Sequence, residues 1–166
     1  MGKLTYLVIH CTATPEGMEV TPDMIKAWHT SPPPNGRGWK QIGYTDLINL
    51  KGEVVNMVKH NEDDIIDAWE ITNGAVGIND TSRHIVYSGG MTKDMKNPKD
   101  TRNEAQLLSM KNYVVHTISL HPDILIAGHN QFASKACPSF ETRKWLKEIG
   151  IADKNIYDKE TFYFLK

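Results

Sequence analysis

Cysteine is scarce in this chain of 166 residues, which contains only Cys11 and Cys137. Small secreted domains that depend on disulfides are dense in cysteine, so the sequence excludes a disulfide scaffold. A single bridge between the two thiols stays open, although Cys11 is more typical of a small, buried apolar side chain.

The sequence also lacks an excess of positive charge and any long apolar run. Its net charge is −1 and its pI is about 6.6, whereas nucleic-acid-binding domains usually have a basic face and a pI above about 9. The apolar runs fall far short of the roughly 20 residues that a membrane-spanning helix needs. We therefore expect no nucleic-acid partner and no membrane association.

A secretory signal peptide is a third absence. The first residues, Met1-Gly-Lys-Leu-Thr-Tyr6, contain neither a long apolar segment nor a small-residue cleavage site. We expect synthesis in the cytoplasm, so that any target outside the cytoplasm is reached by release or by another export route.

Hydrophobic patterning predicts one α/β domain with a central mixed sheet flanked by helices. Strands are predicted at residues 4–11, 42–49, 53–58, 83–88 and 123–128, with the second and third forming a hairpin around Lys51-Gly52. We expect the domain to occupy residues 1–150. Residues 151–166 would be a C-terminal extension whose Phe162, Tyr163 and Phe164 pack on the domain or on a partner subunit.

Three helices are predicted from their start signals. Thr21-Pro22 combines a capping hydroxyl with proline at the first helical position. Thr101 and Glu104 fit a capping box before a helix that runs to about residue 119. Ser139 is expected to cap a last helix, which Gly150 closes.

The most informative pattern combines His10, near the end of the first strand, with His129 and Cys137 much later in the chain. Two imidazoles and one thiolate suit Zn²⁺, and three protein ligands leave the open position that distinguishes catalytic from structural zinc. Cys11 is excluded from this set because neighbouring strand residues face opposite ways. Both ligand segments follow strands, so we expect a groove at the strand ends.

Two further side chains are candidates for catalysis beside this set. Lys135 lies two residues before Cys137, where its charge would favour the thiolate. Tyr44 opens a strand that we expect beside the first strand. A phenol and an ammonium group there could stabilise the oxyanion of a tetrahedral intermediate. His29 is expected to pack beside the site, and His84 to be a half-buried packing residue.

At these residues the chain resembles the zinc-dependent N-acetylmuramoyl-L-alanine amidases of the peptidoglycan-recognition-protein superfamily, and most of all the short phage amidases called lysozymes. The resemblance covers roughly residues 6–147. The matching pieces are Ile9-His-Cys-Thr-Ala-Thr14, Trp28-His29, Gly38-Trp39, Ile42-Gly-Tyr44, Asn79 with Ser82, Gly89-Gly90, Ala127-Gly-His129 and Lys135-Ala-Cys-Pro-Ser-Phe140.

The resemblance implies that His10, His129 and Cys137 bind Zn²⁺ and that Tyr44 and Lys135 assist catalysis. It implies hydrolysis of the amide between N-acetylmuramic acid and L-alanine in peptidoglycan or in muropeptides. Two positions depart from the family's pattern. Thr45 follows the tyrosine where the family commonly has histidine, and Gly74 stands where the phage proteins carry histidine.

Three alternatives to a zinc amidase stay open at this point. The chain could be a non-catalytic peptidoglycan-binding module, although superfamily members that resemble binders lack the cysteine ligand. It could be a hydrolase with Cys137 as nucleophile and His10 or His129 as base. A purely structural zinc site would need a fourth ligand, for which His29 and His121 are the histidine candidates.

Overall fold

The computed structural model describes residues 1–161 of the chain. The predicted packing of Phe162, Tyr163 and Phe164 lies outside the described residues. Across the part that is described, no helix has the length and apolar character needed to cross a membrane.

The described residues form nine short strands and three α-helices, in the order of three strands, a helix, five strands, a helix, one strand and a last helix. The strands are β1 (Gly2–Lys3), β2 (Tyr6–Cys11), β3 (Thr14–Pro15), β4 (Asp46–Ile48), β5 (Val54–Asn56), β6 (Ile65–Ile66), β7 (Ser82–Tyr87), β8 (Gly90–Met91) and β9 (Leu125–Gly128). The helices are α1 (Pro22–Thr30), α2 (Glu104–Leu120) and α3 (Thr142–Glu148).

Five of the strands form the central sheet, in the spatial order β5-β4-β7-β2-β9. The pairs β4–β7, β7–β2 and β2–β9 are parallel, while the β4–β5 hairpin is antiparallel. The predicted mixed sheet is therefore confirmed. The expected position of the strand after Tyr44 was wrong, because β4 lies beside β7 and only β7 separates it from β2.

The sheet is covered on both faces. Helices α2 and α3 pack on one face, where Met110, Val114 and Leu146 meet alternate residues of β2 and β7. Helix α1 covers part of the other face, where Ile25 packs with Leu47 and Val86. Because strand side chains alternate, Cys11 joins the first core while His10 faces the side of α1.

The start of α1 matches the prediction, whereas the starts of α2 and α3 do not. Thr21 caps α1 by accepting the N–H of Met24. The capping box of α2 is formed by Asn103 and Gln106, because the Thr101 hydroxyl instead accepts the Gly90 N–H at 2.8 Å.

Ser139 does not cap the last helix, which begins at Thr142. Its backbone has a φ of 69°, and its hydroxyl donates to the Gly90 carbonyl at 2.8 Å. Ser139 therefore ties the loop that carries Cys137 to the strand β8.

The described part of the C-terminal extension packs against the edge strand β9. Asn155 donates to the carbonyls of Pro122 and Ile124 at 2.8 and 2.9 Å. The Tyr157 ring stacks on Phe132 with their centroids 5.0 Å apart. These contacts hold residues 155–157 on the domain, and the boundary at residue 150 stays a prediction.

Candidate metal centre and active-site cleft

The fold brings His10, His129 and Cys137 together at one edge of the central sheet. One potential ligand atom from each of them lies within 4.8 Å of the other two. The His10 and His129 rings have centroids 4.6 Å apart, and His10 Nδ1 lies 3.7 Å from Cys137 Sγ. Among residues 1–161, this is the group of histidine, cysteine and acidic side chains that could hold a metal ion.

Strand pairing explains why the two histidines meet. His10 is the next-to-last residue of β2, and His129 follows the last residue of β9 directly. Since Ile9 is paired with Gly128 in the parallel β2–β9 ladder, the next residues along both strands emerge side by side. The carboxyl ends of two parallel strands thus bring both imidazoles to the edge of the sheet where a site was predicted.

Cys137 reaches the same point from the loop between β9 and α3. Its Sγ accepts the backbone N–H of Cys11 at 3.3 Å, which fixes the thiol beside the end of β2. Asn130 braces the loop by donating to the Phe140 carbonyl at 3.2 Å. Both cysteines are free thiols, so the alternative of a disulfide between them is wrong.

The donor set fits zinc. In tetrahedral zinc sites, two nitrogen ligands are about 3.4 Å apart, and a nitrogen and a sulfur ligand are about 3.6 Å apart. The 3.7 Å between His10 Nδ1 and Cys137 Sγ is close to that spacing. Nε2 of His10 is not free for this purpose, because it lies 2.9 Å from His84 Nδ1. His10 therefore offers Nδ1 as its ligand atom.

Burial sets the protonation of the three groups in the protein without metal. It lowers the pKa of His10 well below its ordinary value, with the neighbouring His129 adding to the effect. Burial and the charge of Lys135 lower the pKa of His129 to about 4. Both imidazoles are thus neutral, as metal ligands must be.

The thiol behaves in the opposite way. Burial, followed by its hydrogen bond and charge interaction with Cys11, raises the pKa of Cys137 well above its ordinary value, and the smaller effect of Lys135 does not offset this rise. The expectation that Lys135 favours the thiolate is therefore correct in sign but too weak on its own. A bound cation would supply the missing stabilisation.

Tyr44 lies against the candidate metal-ligand group, which consists of His10, His129 and Cys137, although β4 is not adjacent to β2. Its ring centroid is 5.0 Å from that of His10 and 5.1 Å from that of His29. Burial raises the pKa of Tyr44 well above its ordinary value. The phenol therefore keeps its proton at neutral pH and can act as a hydrogen-bond donor.

His29 holds the segment that leads into Tyr44. Its Nδ1 accepts the backbone N–H of Gly43 at 3.0 Å, and its ring lies 4.8 Å from that of Trp39. Burial and the charge of Arg37 lower the pKa of His29 to about 4. The expectation that His29 packs beside the site thus agrees with its contacts.

His29, Tyr44 and His129 line one cleft of about 290 Å³, next to His10 and Cys137. Lys135 is exposed on its wall, between His129 and Cys137 in sequence. The other residues that line the cleft are His29, Arg37, Trp39, Tyr44, Asn73, Gly74, Ala75, Val76, His129, Phe132 and Ala133. The cleft therefore brings a cation and a phenol to the metal-ligand group.

A larger groove of about 670 Å³ lies elsewhere, along α2 and α3. Its most distinctive feature is Arg102, whose guanidinium is stacked over Phe140 at 3.4 Å and paired with Asp100. The metal-ligand group is not part of its lining. The smaller cleft is therefore the candidate active site.

The contact between His84 and His10 was not predicted from the sequence. His84 is fully buried rather than half-buried, and its Nδ1 lies 2.9 Å from His10 Nε2. Burial lowers the pKa of His84 to about 3, so it is neutral. A histidine inside an apolar strand was the available signal, but its partner depends on the pairing of β7 with β2.

Neither proposed fourth ligand joins the group in the described part of the chain. His121 follows the end of α2, where its Nδ1 lies 2.6 Å from Asp64. Nδ1 of His29 is occupied by the Gly43 N–H. The three-ligand arrangement is thus the one that the described residues support.

Known proteins are similar to this chain along most of its length. The family model described as N-acetylmuramoyl-L-alanine amidase matches residues 1–140. The endolysin of Enterobacteria phage K11 is 31% identical over 140 residues, covering 84% of this chain and 83% of that protein. The endolysin of Escherichia phage T7 is 27% identical, with the same two shares.

Solved structures share the fold at lower identity. The Ph2119 endolysin from a Thermus scotoductus bacteriophage has a TM-score of 0.69 at 22% identity, covering 92% of this chain and 88% of that chain. A complex of the peptidoglycan recognition proteins LCa and LCx with tracheal cytotoxin gives a TM-score of 0.67 at 21% identity, covering 93% of this chain and 85% of that chain.

Proposed function

Because this chain belongs to the N-acetylmuramoyl-L-alanine amidase family, we propose that it hydrolyses the amide between N-acetylmuramic acid and L-alanine of peptidoglycan in the cleft at His10, His129 and Cys137. The observation that carries the assignment is the convergence of these three side chains beside Tyr44. His129, Tyr44 and Lys135 line that cleft.

We propose that His10 Nδ1, a ring nitrogen of His129 and Cys137 Sγ hold a zinc ion. When bound, zinc polarises a carbonyl and lowers the pKa of water toward about 7. The backbone N–H of Cys11 donates a hydrogen bond to Sγ of Cys137. Such a hydrogen bond stabilises the charged form of the sulfur.

Tyr44 and Lys135 act on the charge that develops at the scissile carbonyl. The phenol O–H of Tyr44 donates to the oxyanion, and the ammonium of Lys135 opposes the same charge from the cleft wall. Either group can return a proton to the departing amine of L-alanine. His29 orients Tyr44 through its bond to Gly43, since a donor must be held in place to favour the transition state.

The phage relatives carry the name endolysin, and we propose that this protein likewise degrades bacterial cell wall. Its substrate would be peptidoglycan or a soluble muropeptide. No residue in this account requires contact with nucleic acid or membrane.

The test is the chemical identity of the products. Purified protein is incubated with peptidoglycan and, separately, with a defined muropeptide, and the products are separated by mass. Free stem peptides with a new L-alanine amine, together with intact glycan, support the proposal. Cut glycan strands, cut cross-bridges or binding without any product would contradict it, and the last result would identify a non-catalytic peptidoglycan-binding module.

A further inference from the structure

His84 contacts His10 through Nε2, the ring nitrogen of His10 that does not lie near Cys137. It lies in the middle of β7, where its register partner in the parallel β2–β7 ladder is Val8. His10 lies two residues beyond Val8 on the same face of the sheet. The two imidazoles are both fully buried, and His10 Nε2 lies 2.9 Å from His84 Nδ1.

The backbone around His84 is fixed on both sides. Its neighbours in the β2–β7 ladder hold one side, and the Thr45 N–H donates to its carbonyl at 2.8 Å on the other. The His84 ring therefore has a defined position next to His10. A side chain on a central strand is better placed to orient a ligand than one on a loop.

Gly74 provides the space that the His84 ring occupies. A Cβ atom at residue 74 would lie 2.3 Å from both Cγ and Nδ1 of His84, far inside van der Waals contact. Any other residue at position 74 would displace the imidazole from His10 or move the loop. Gly74 and His84 are therefore a matched pair.

The direction of the hydrogen bond between His10 and His84 follows from the use of His10 Nδ1 as the metal ligand. A neutral imidazole that gives its Nδ1 lone pair to a metal carries its proton on Nε2. His10 Nε2–H must then donate, so His84 Nδ1 accepts. The opposite arrangement would put the proton of His10 on Nδ1, where it would block the metal.

We propose that His84 is a positioning residue that accepts the Nε2–H of His10 and so fixes the tautomer and ring orientation of that ligand. This inference rests on the proposed zinc site. Metal-binding histidines usually donate their second N–H to a carboxylate or a backbone carbonyl. Here a neutral, buried imidazole has that role, and its own proton lies on Nε2, which has no partner among the described residues.

The first test is zinc affinity, measured by competition with a chromophoric chelator. His84→Leu fills a similar volume with an apolar side chain and removes the hydrogen-bond acceptor. We therefore expect zinc affinity to fall by about 10–100-fold. His84→Asn should recover most of the loss, because its Oδ1 is attached to Cγ as Nδ1 is and can accept the same proton. His116→Leu, at an exposed histidine of α2, is the matched control and should bind zinc as the wild type does.

Gly74→Ala tests the same contact without touching either histidine. It should weaken zinc binding in the wild type and have little further effect in His84→Ala, where the added methyl group no longer meets a ring. Circular dichroism establishes that each variant is folded. If His84→Leu does not fold, the zinc affinities of Gly74→Ala and His84→Asn are compared instead. Weaker binding in the first and near wild-type binding in the second would support the inference.

The second readout is the tautomer itself. Ring ¹⁵N shifts of the zinc-loaded protein should show His84 protonated on Nε2 and unprotonated on Nδ1. A His84 ring protonated on Nδ1, or folded His84→Leu with wild-type zinc affinity, would overturn the inference while leaving the zinc site in place. A wild-type protein that binds no zinc would overturn the proposed zinc site and this inference together.

Discussion

Replacing Tyr44 by phenylalanine separates catalysis from metal binding, because it removes one oxygen atom and keeps the ring. The ring contacts with His10 at 5.0 Å and His29 at 5.1 Å are available to phenylalanine as well. The expected changes in folding stability and in zinc affinity are therefore small. The lost group is the protonated phenol O–H, on a ring that lies beside the candidate ligand His10.

The size of the effect follows from the role assigned to that phenol. Removing one donor to an oxyanion usually lowers kcat by about 10²–10³-fold, which corresponds to about 2.7–4 kcal/mol of transition-state stabilisation. The loss should be partial, because the Lys135 ammonium still lines the cleft. It should fall on kcat more than on KM, since the interaction forms only as charge develops.

The assay is release of stem peptide from a soluble muropeptide by zinc-loaded wild type and Tyr44→Phe, with zinc content measured on the same samples. Tyr6→Phe is the matched control. The Tyr6 ring packs on Phe132 and Tyr157 at 5.2 and 5.3 Å, contacts that phenylalanine keeps, and its kcat should equal that of the wild type.

One result would refute the reasoning directly. If Tyr44→Phe holds one zinc ion and retains the wild-type kcat, the phenol makes no contribution to the transition state. A variant that loses both zinc and activity would show instead that Tyr44 supports the ligands.

The remaining expectations concern the metal and the stability of the fold. Cys137→Ser should lose zinc affinity and turnover together, and full zinc occupancy with normal turnover would rule out the thiolate as a ligand. Tyr113→Phe should lower the free energy of unfolding by about 1.5–3 kcal/mol in urea titrations, because its hydroxyl donates at 2.5 Å to the buried Asp46 carboxylate. Although burial alone would raise it, the pKa of Asp46 is held below its ordinary value by the His60 imidazole 3.7 Å away and by hydrogen bonds from Tyr113 and Asn56. This stabilisation is present above the unfolded pKa and is lost as the pH falls through the folded pKa, so the penalty of Tyr113→Phe should shrink below about pH 4; a constant penalty would contradict the assignment.

The sequence was most informative where a single segment carries its own signal. A strand was predicted at residues 4–11 from their apolar and β-branched side chains, and residues 6–11 form the interior strand β2. Thr21 and Pro22 mark the start of α1. The family resemblance and the mixed α/β fold were likewise confirmed, because the ligand segments at both ends of the chain carry distinctive patterns.

Local patterns were ambiguous where two candidates overlap. Thr101 with Glu104 and Asn103 with Gln106 both satisfy the spacing of a capping box. In the structure Asn103 and Gln106 form the capping box, because the Thr101 hydroxyl already accepts a hydrogen bond from the Gly90 N–H. That contact joins segments that are distant in sequence, and no pattern within the helix could have indicated it.

The order of strands and the pairing between them also required the structure. Tyr44 was expected on a strand beside β2, but β7 lies between β4 and β2. The same insertion puts His84 against His10. The candidate ligand set could thus be proposed from residue types and family resemblance, whereas the contact between His84 and His10 depends on long-range register.

The central claim is that zinc, held by His10, His129 and Cys137, is required for hydrolysis. The most direct measurement is zinc content and muropeptide turnover on one purified sample, before and after a chelator and again after Zn²⁺ is restored. We expect one zinc ion per chain, with release of stem peptide that stops on chelation and returns with Zn²⁺. Turnover that survives complete removal of zinc and is abolished only by thiol alkylation would contradict it and make Cys137 a nucleophile.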